Sequence, residues 1–125
     1  MKAQLMAVAL FGVLGCGTAM AAGSTNDGNL LLGQCQQYIK SADPESNYNR
    51  ADAGMCIGYL QGVQNTFDFL NDEIKSGTRL CIPENVTNGQ MARIVVRFLE
   101  DNPRLLNGGR TGLVWLAIKD AFPCK

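Results

Sequence analysis

RADAGMCIGYLQGVQNTFDFLNDEIK, residues 50–75, decides the fold class of this chain. Cys56, Tyr59, Leu60, Val63, Phe67, Leu70 and Ile74 lie 3, 1, 3, 4, 3 and 4 positions apart. That is the step of one face of an α-helix, not the alternation of a strand. No proline interrupts the stretch, and Ser76-Gly77 supplies a stop, so a single helix is predicted over 50–75. Gly54, Gly58 and Gly62 recur every four residues on a different face, near Ala51 and Phe69. Each costs up to ~1 kcal/mol against alanine in a helix interior. Three of them together predict a second contact face, used by another helix of the same chain or by a partner chain.

Outward from this helix, the rest of the chain reads as more helices. Leu31, Leu32, Cys35, Tyr38 and Ile39 share one side of a helix over 30–41, which Asp43-Pro44 ends. Downstream, Thr87-Asn88-Gly89-Gln90 has the form of a capping box, with Val86 and Met91 placed for a hydrophobic staple. A helix follows to Asp101, with Met91, Ile94, Val95, Phe98 and Leu99 inward and Arg93, Arg97 and Glu100 on a solvated face. Asn102-Pro103 breaks it, and Gly108-Gly109 makes a continuous helix through 104–112 unfavourable, although Leu105 and Leu106 suit a partial turn. The last helix, 111–122, is apolar nearly all round except at Lys119 and Asp120, which predicts burial on more than one side. Nothing reads as a strand. The expected fold is all-α: a compact bundle of four to five helices with short loops.

The N-terminus reads as an export signal. Lys2 is followed by an apolar run with glycine, residues 5–14, and then by the A-x-A site Ala19-Met20-Ala21. Residues 1–21 are expected to be removed, 22–29 (AGSTNDGN) to form a flexible leader, and 30–125 to form the domain. The apolar run is too short to span a bilayer, so no membrane association is expected after cleavage. The rival reading is a lipoprotein anchored at Cys16, because Val13-Leu14-Gly15-Cys16 loosely resembles a lipobox. Cleavage at Ala21 removes Cys16 and leaves Cys35, Cys56, Cys81 and Cys124, an even set in an oxidising compartment. Four cysteines allow three connectivities. A short connection makes the last two helices antiparallel, which brings Cys81 near Cys124. The same logic brings Cys35 to Cys56, so Cys35–Cys56 and Cys81–Cys124 are the expected staples.

The composition is poor in chemistry. Of 125 residues 46% are hydrophobic, 11 basic residues balance 11 acidic ones, and there is no histidine. Zero net charge argues against a nucleic-acid binder. Without histidine there is no Ser-His-Asp or Cys-His pair and no His-ligated metal. The cysteine gaps all exceed 20 residues, which disfavours a four-Cys zinc site. No cofactor is expected, and the chain does not read as an enzyme. Asp68 and Asp72 stand on a polar helix face where solvation is the default, and the aromatics fall on core stripes. Function therefore lies in binding. The best contact segment is 102–112, glycine-rich, with Arg104 and Arg110, between two strongly patterned helices.

The ordered local motifs resemble one family. They are Gly33-Gln34-Cys35 with Tyr38, then residues 54–62 (GMCIGYLQG), and Cys81-Ile82-Pro83 with Val86-Thr87 and Gln90. Residues 98–103 (FLEDNP) and a terminal Ala121-Phe122-Pro123-Cys124 complete the set. Over residues 30–124 the chain resembles the Rap/Tai group of immunity proteins, which protect bacteria from peptidoglycan amidases delivered by type VI secretion. The resemblance implies a periplasmic, all-helical, often homodimeric protein that binds a cognate amidase effector and blocks its active-site cleft, in some members with a loop projecting from the helical core. It places Arg104, Asn107 and Arg110 at the partner contact; the oligomer face expected from the glycine spacing is Gly54, Gly58 and Gly62. The chain departs from the pattern at Gly108-Gly109, which interrupts what resembles a longer helical stretch in relatives. A periplasmic helical chaperone or stress protein and a structural envelope subunit are the competing readings.

Overall fold

The computed structural model describes residues 26–43 and 47–125. Its four helices are α1 (Gly28–Ala42), α2 (Arg50–Phe69), α3 (Asn88–Asp101) and α4 (Arg110–Ala121), with 3₁₀ turns at Ser76–Thr78 and Pro103–Leu105. Among the described residues there is no strand, only one antiparallel bridge between Asp27 and Gly109. The all-α bundle expected from the sequence is what forms. The segment read as an export signal lies outside the described residues.

Helix α3 is central. It packs against α1, α4 and α2, while α1 also packs along α2. Its start is set by the capping box. The Gln90 N–H donates to Thr87 Oγ1 at 3.2 Å, and the Thr87 N–H donates to Gln90 Oε1 at 3.0 Å. Such a cap contributes about 1 kcal/mol. Because α3 has neighbours on several sides, its buried stripe is displaced from the expected one: Ala92 and Val96 join Met91, Val95 and Leu99, while Ile94 and Phe98 are only half-buried. Leu31 of α1, Leu60 of α2, and Val114 and Ile118 of α4 close on this stripe with no exposure at all.

Two boundaries differ from the periodicity. Helix α1 begins at Gly28, inside the stretch read as leader, because the Asp27 carboxylate caps it by accepting the Leu30 N–H at 3.1 Å. Helix α2 ends at Phe69, well short of Lys75. The Leu70 N–H still reaches the Thr66 carbonyl at 3.1 Å, but turns then carry the chain away. Leu70 and Ile74 keep helical spacing, yet Leu70 is exposed, so little apolar burial rewards continuation. The Thr66 hydroxyl also donates to the Gly62 carbonyl at 2.7 Å, a back-bond that weakens the last turns of a helix.

Both disulfides pair as geometry suggested, with Cα–Cα distances of 4.9 Å for Cys35–Cys56 and 5.3 Å for Cys81–Cys124. Sequence separations of 21 and 43 residues correspond to about 3.3 and about 4.0 kcal/mol of loop-closure stabilisation. The second staple has help. The Trp115 indole N–H donates to the Thr78 carbonyl at 2.8 Å, and Lys119 Nζ donates to the Arg79 carbonyl at 3.0 Å. Together they lace the 76–82 segment onto α4. On α4 itself Leu113, Val114, Ala117 and Ile118 are buried, but Leu116 is 39% exposed. Burial on several sides, expected from its composition, is therefore only partly realised, because α4 lies at the edge of the bundle.

Candidate functional site

The connector between α3 and α4 is a folded tie, built from both ends of the domain. Helix α3 stops at Asp101, and the Asn102 side-chain amide donates back to the Phe98 carbonyl at 2.8 Å. Pro103 opens the 3₁₀ turn. The chain then meets the segment just before α1. The Gly28 N–H donates to the Gly108 carbonyl at 3.1 Å, the Asn29 N–H to the Leu106 carbonyl at 3.2 Å, and the Arg110 N–H to the Asn26 carbonyl at 3.2 Å. Gly28 is required here. A Cβ would sit 2.5 Å from Leu113 Cδ1 and 2.9 Å from the Leu106 carbonyl oxygen.

The three residues expected to meet a partner have different surroundings. Arg104 is exposed on the 3₁₀ turn and, among the described residues, makes no ion pair and no side-chain hydrogen bond; Leu105 beside it is 40% exposed. Asn107 Oδ1 accepts from the Asn29 amide at 3.3 Å. Arg110 is half-buried. Its Nη2 donates to Asn26 Oδ1 at 2.9 Å, its guanidinium lies 4.2 Å from the centre of the Tyr59 ring, and its Nε is buried with no partner among the described residues. The Tyr59 hydroxyl in turn shares a 2.6 Å hydrogen bond with the Thr111 hydroxyl. Arg104 with Leu105 thus forms the outward tip, while Asn107 and Arg110 brace it.

Periodicity did not single out Asn26, Asp27, Asn29, Tyr59 or Thr111 for this role. One signal was present: Asp27, three residues before Leu30 at the head of an apolar run, is an N-cap pattern. The Asp27 carboxyl is held below the ordinary aspartate value, chiefly by the Leu30 N–H it accepts, with desolvation opposing and the Asn29 amide assisting.

The second feature is the outer face of α2. No helix of this chain covers it among the described residues. Cβ atoms built on Gly54, Gly58 and Gly62 would meet nothing within 4 Å. A shallow apolar groove of about 350 Å³ runs beside two of these glycines, lined by Gly58, Tyr59, Gly62, Val63, Thr66 and Phe67 of α2 and Thr111 of α4. Met55 and Phe69 flank it, 54% and 86% exposed.

Among the described residues no three His, Cys, Asp or Glu side chains cluster in a way that could hold a metal ion, and no helix is long and apolar enough to cross a membrane. The family model that matches this chain is described as Rap1a immunity proteins and covers residues 27–124. No curated protein and no solved structure matches it.

Proposed function

This chain belongs to the Rap1a immunity protein family, and we propose that it acts in the periplasm on a peptidoglycan amidase effector of type VI secretion, whose active-site cleft it occludes. Immunity proteins of this kind bind a cognate effector protein and are generally not enzymes. Two disulfides suit an oxidising, extracytoplasmic setting, and removal of residues 1–21 on export would deliver the domain there.

The observation that carries the contact assignment is the tip. Among the described residues Arg104 projects a guanidinium without a counter-ion, next to a half-exposed Leu105, from a connector tied down at both ends. Arginine is enriched among interface anchors, and a braced loop loses little conformational entropy on docking. Arg104 supplies charge-assisted hydrogen bonds to the cleft. Asn107 and Arg110 contribute by holding the connector through Asn29, Asn26 and Tyr59.

Competition between this mature chain and peptidoglycan for the amidase encoded beside it tests the reading. Inhibition with a complex in solution is expected, and Arg104→Ala should weaken it about 30-fold, the scale of a 2 kcal/mol interface anchor. Absence of a complex would exclude the amidase, and full inhibition by the Arg104→Ala, Leu105→Ala variant would exclude the tip.

A further inference from the structure

The second staple is lopsided. Cys81 is exposed and Cys124 half-buried, while Cys35 and Cys56 are fully buried. Among the described residues a cation meets this disulfide at one sulfur alone: Lys119 Nζ lies 4.0 Å from Cys124 Sγ. That ammonium is held in place. It donates to the Arg79 carbonyl at 3.0 Å and stands 5.8 Å from the centre of the Trp115 ring. Neither ion pair among the described residues involves it, so no carboxylate takes up its charge. The Arg79 carbonyl oxygen itself lies 3.5 Å from Cys124 Sγ.

An ammonium beside a sulfur favours its thiolate. In thiol–disulfide exchange a thiolate attacks the sulfur open to approach, and the sulfur that better bears negative charge departs faster. Here the two requirements fall on different atoms. We propose that Cys81 is a thiol-exchange site, at which an external thiolate bonds to Cys81 Sγ while Cys124 departs against Lys119. The reacting thiol first loses its proton to water. As the new S–S bond forms, the Cys81–Cys124 bond breaks and its electron pair stays on Cys124 Sγ. The external sulfur is thereby oxidised and Cys124 reduced. The Cys124 thiolate stays beside the ammonium, or takes a proton from water and donates its S–H to the Arg79 carbonyl. The reverse step, attack of Cys124 on a mixed disulfide at Cys81, closes the staple and returns the thiol.

The domain outlasts the opening. Cys35–Cys56 is buried out of reach, and the bonds from Trp115 to Thr78 and from Lys119 to Arg79 keep the 76–82 segment on α4. The site lies at the end of α4 far from the connector, about 18 Å along the helix from Arg110, so it is separate from the effector contact. The reagent is a thiolate, supplied by a small thiol such as glutathione or by the dithiol of a Cys-X-X-Cys oxidoreductase.

Brief exposure of the folded mature chain to glutathione, a quench with N-ethylmaleimide and peptide mass mapping test the assignment. Glutathione should sit on Cys81 and maleimide on Cys124, with the helical circular dichroism unchanged. In a second arm the reagent is a Cys-X-X-Cys oxidoreductase whose second cysteine is serine, and the cross-link should again fall on Cys81. An adduct at Cys81 in one arm alone supports the proposal and identifies the source of the thiolate. No adduct in either arm, an adduct on Cys124 or on both sulfurs equally, or labelling of Cys35 and Cys56 overturns it. Lys119→Met separates charge from packing. Loss of the ammonium should slow exchange about 3- to 10-fold, whereas loss of its bond to the Arg79 carbonyl would by itself loosen the segment and speed exchange. Lys119→Arg, which keeps the charge, should stay within about 2-fold of wild type. Exchange in Lys119→Met as fast as wild type, or faster, overturns the departure of Cys124 against Lys119.

Discussion

Adding one methyl group at either of two glycines in α1 should move stability in opposite directions. At Gly28 the new Cβ falls 2.5 Å from Leu113 Cδ1, 2.9 Å from the Leu106 carbonyl oxygen and 3.0 Å from Leu106 Cα. Leu113 cannot swing clear, because it is only 4% exposed in the core. The Leu106 carbonyl cannot retreat without releasing the Asn29 N–H it accepts at 3.2 Å. Overpacking of this kind costs about 1–3 kcal/mol, and the gain in helix propensity at a first-turn position offsets only part of it. At Gly33, five residues on and exposed, a Cβ meets nothing among the described residues within 4 Å. There the substitution should return about 0.5–1 kcal/mol of lost propensity. For a domain of this size 1 kcal/mol shifts Tm by roughly 4–8 °C. Thermal unfolding followed by circular dichroism should therefore give Gly28→Ala a Tm about 5–15 °C below wild type and Gly33→Ala one about 2–8 °C above it. Urea unfolding should show the same order with an unchanged m-value. Equal stability of Gly28→Ala and wild type would refute the close packing of the N-terminal segment on the connector, and a destabilised Gly33→Ala would refute an open outer face for α1.

Two further outcomes follow from the caps and staples. The Asp27 carboxyl titrates below its ordinary value because it accepts the Leu30 N–H. Its stabilising effect is therefore present above about pH 4 and is lost as pH falls through the lower folded-state value. Asp27→Asn, which keeps a capping oxygen, should flatten that part of the acid limb in urea titrations between about pH 2 and 5; an unchanged limb would mean that the cap does not carry it. The disulfides should differ in access: Cys35 and Cys56 are fully buried, whereas Cys81 is exposed and Cys124 half-buried. Limited reduction followed by alkylation and peptide mass mapping should label Cys81 and Cys124 first, and simultaneous labelling of all four would show that global unfolding controls access.

Most of the fold was legible because it is written in local signals. The stripe through Cys56, Leu60 and Val63, the Thr87–Gln90 box and the Pro103 break each act within a few residues, so spacing alone reports them. Even the disulfide pairing followed from helix order, since short connections force antiparallel neighbours. The end of α2 was misread for the complementary reason. Leu70 and Ile74 keep helical spacing, but spacing does not say whether a neighbour is there to bury them.

By itself, then, the sequence determined an all-helical, twice-stapled chain without histidine chemistry, carrying the motifs of an immunity protein. Only the tertiary structure decided which surfaces remain open. It took Asn107 and Arg110 into contacts with Asn29, Asn26 and Tyr59, left Arg104 outward, and left the α2 glycines uncovered. The division has a physical cause. Helix periodicity and capping are interactions between near neighbours along the chain, so they survive in a linear pattern. Exposure of one helix face depends on which distant segments arrive beside it: the tie between Asn26–Asn29 and the connector joins residues about 80 positions apart, a separation no local pattern records.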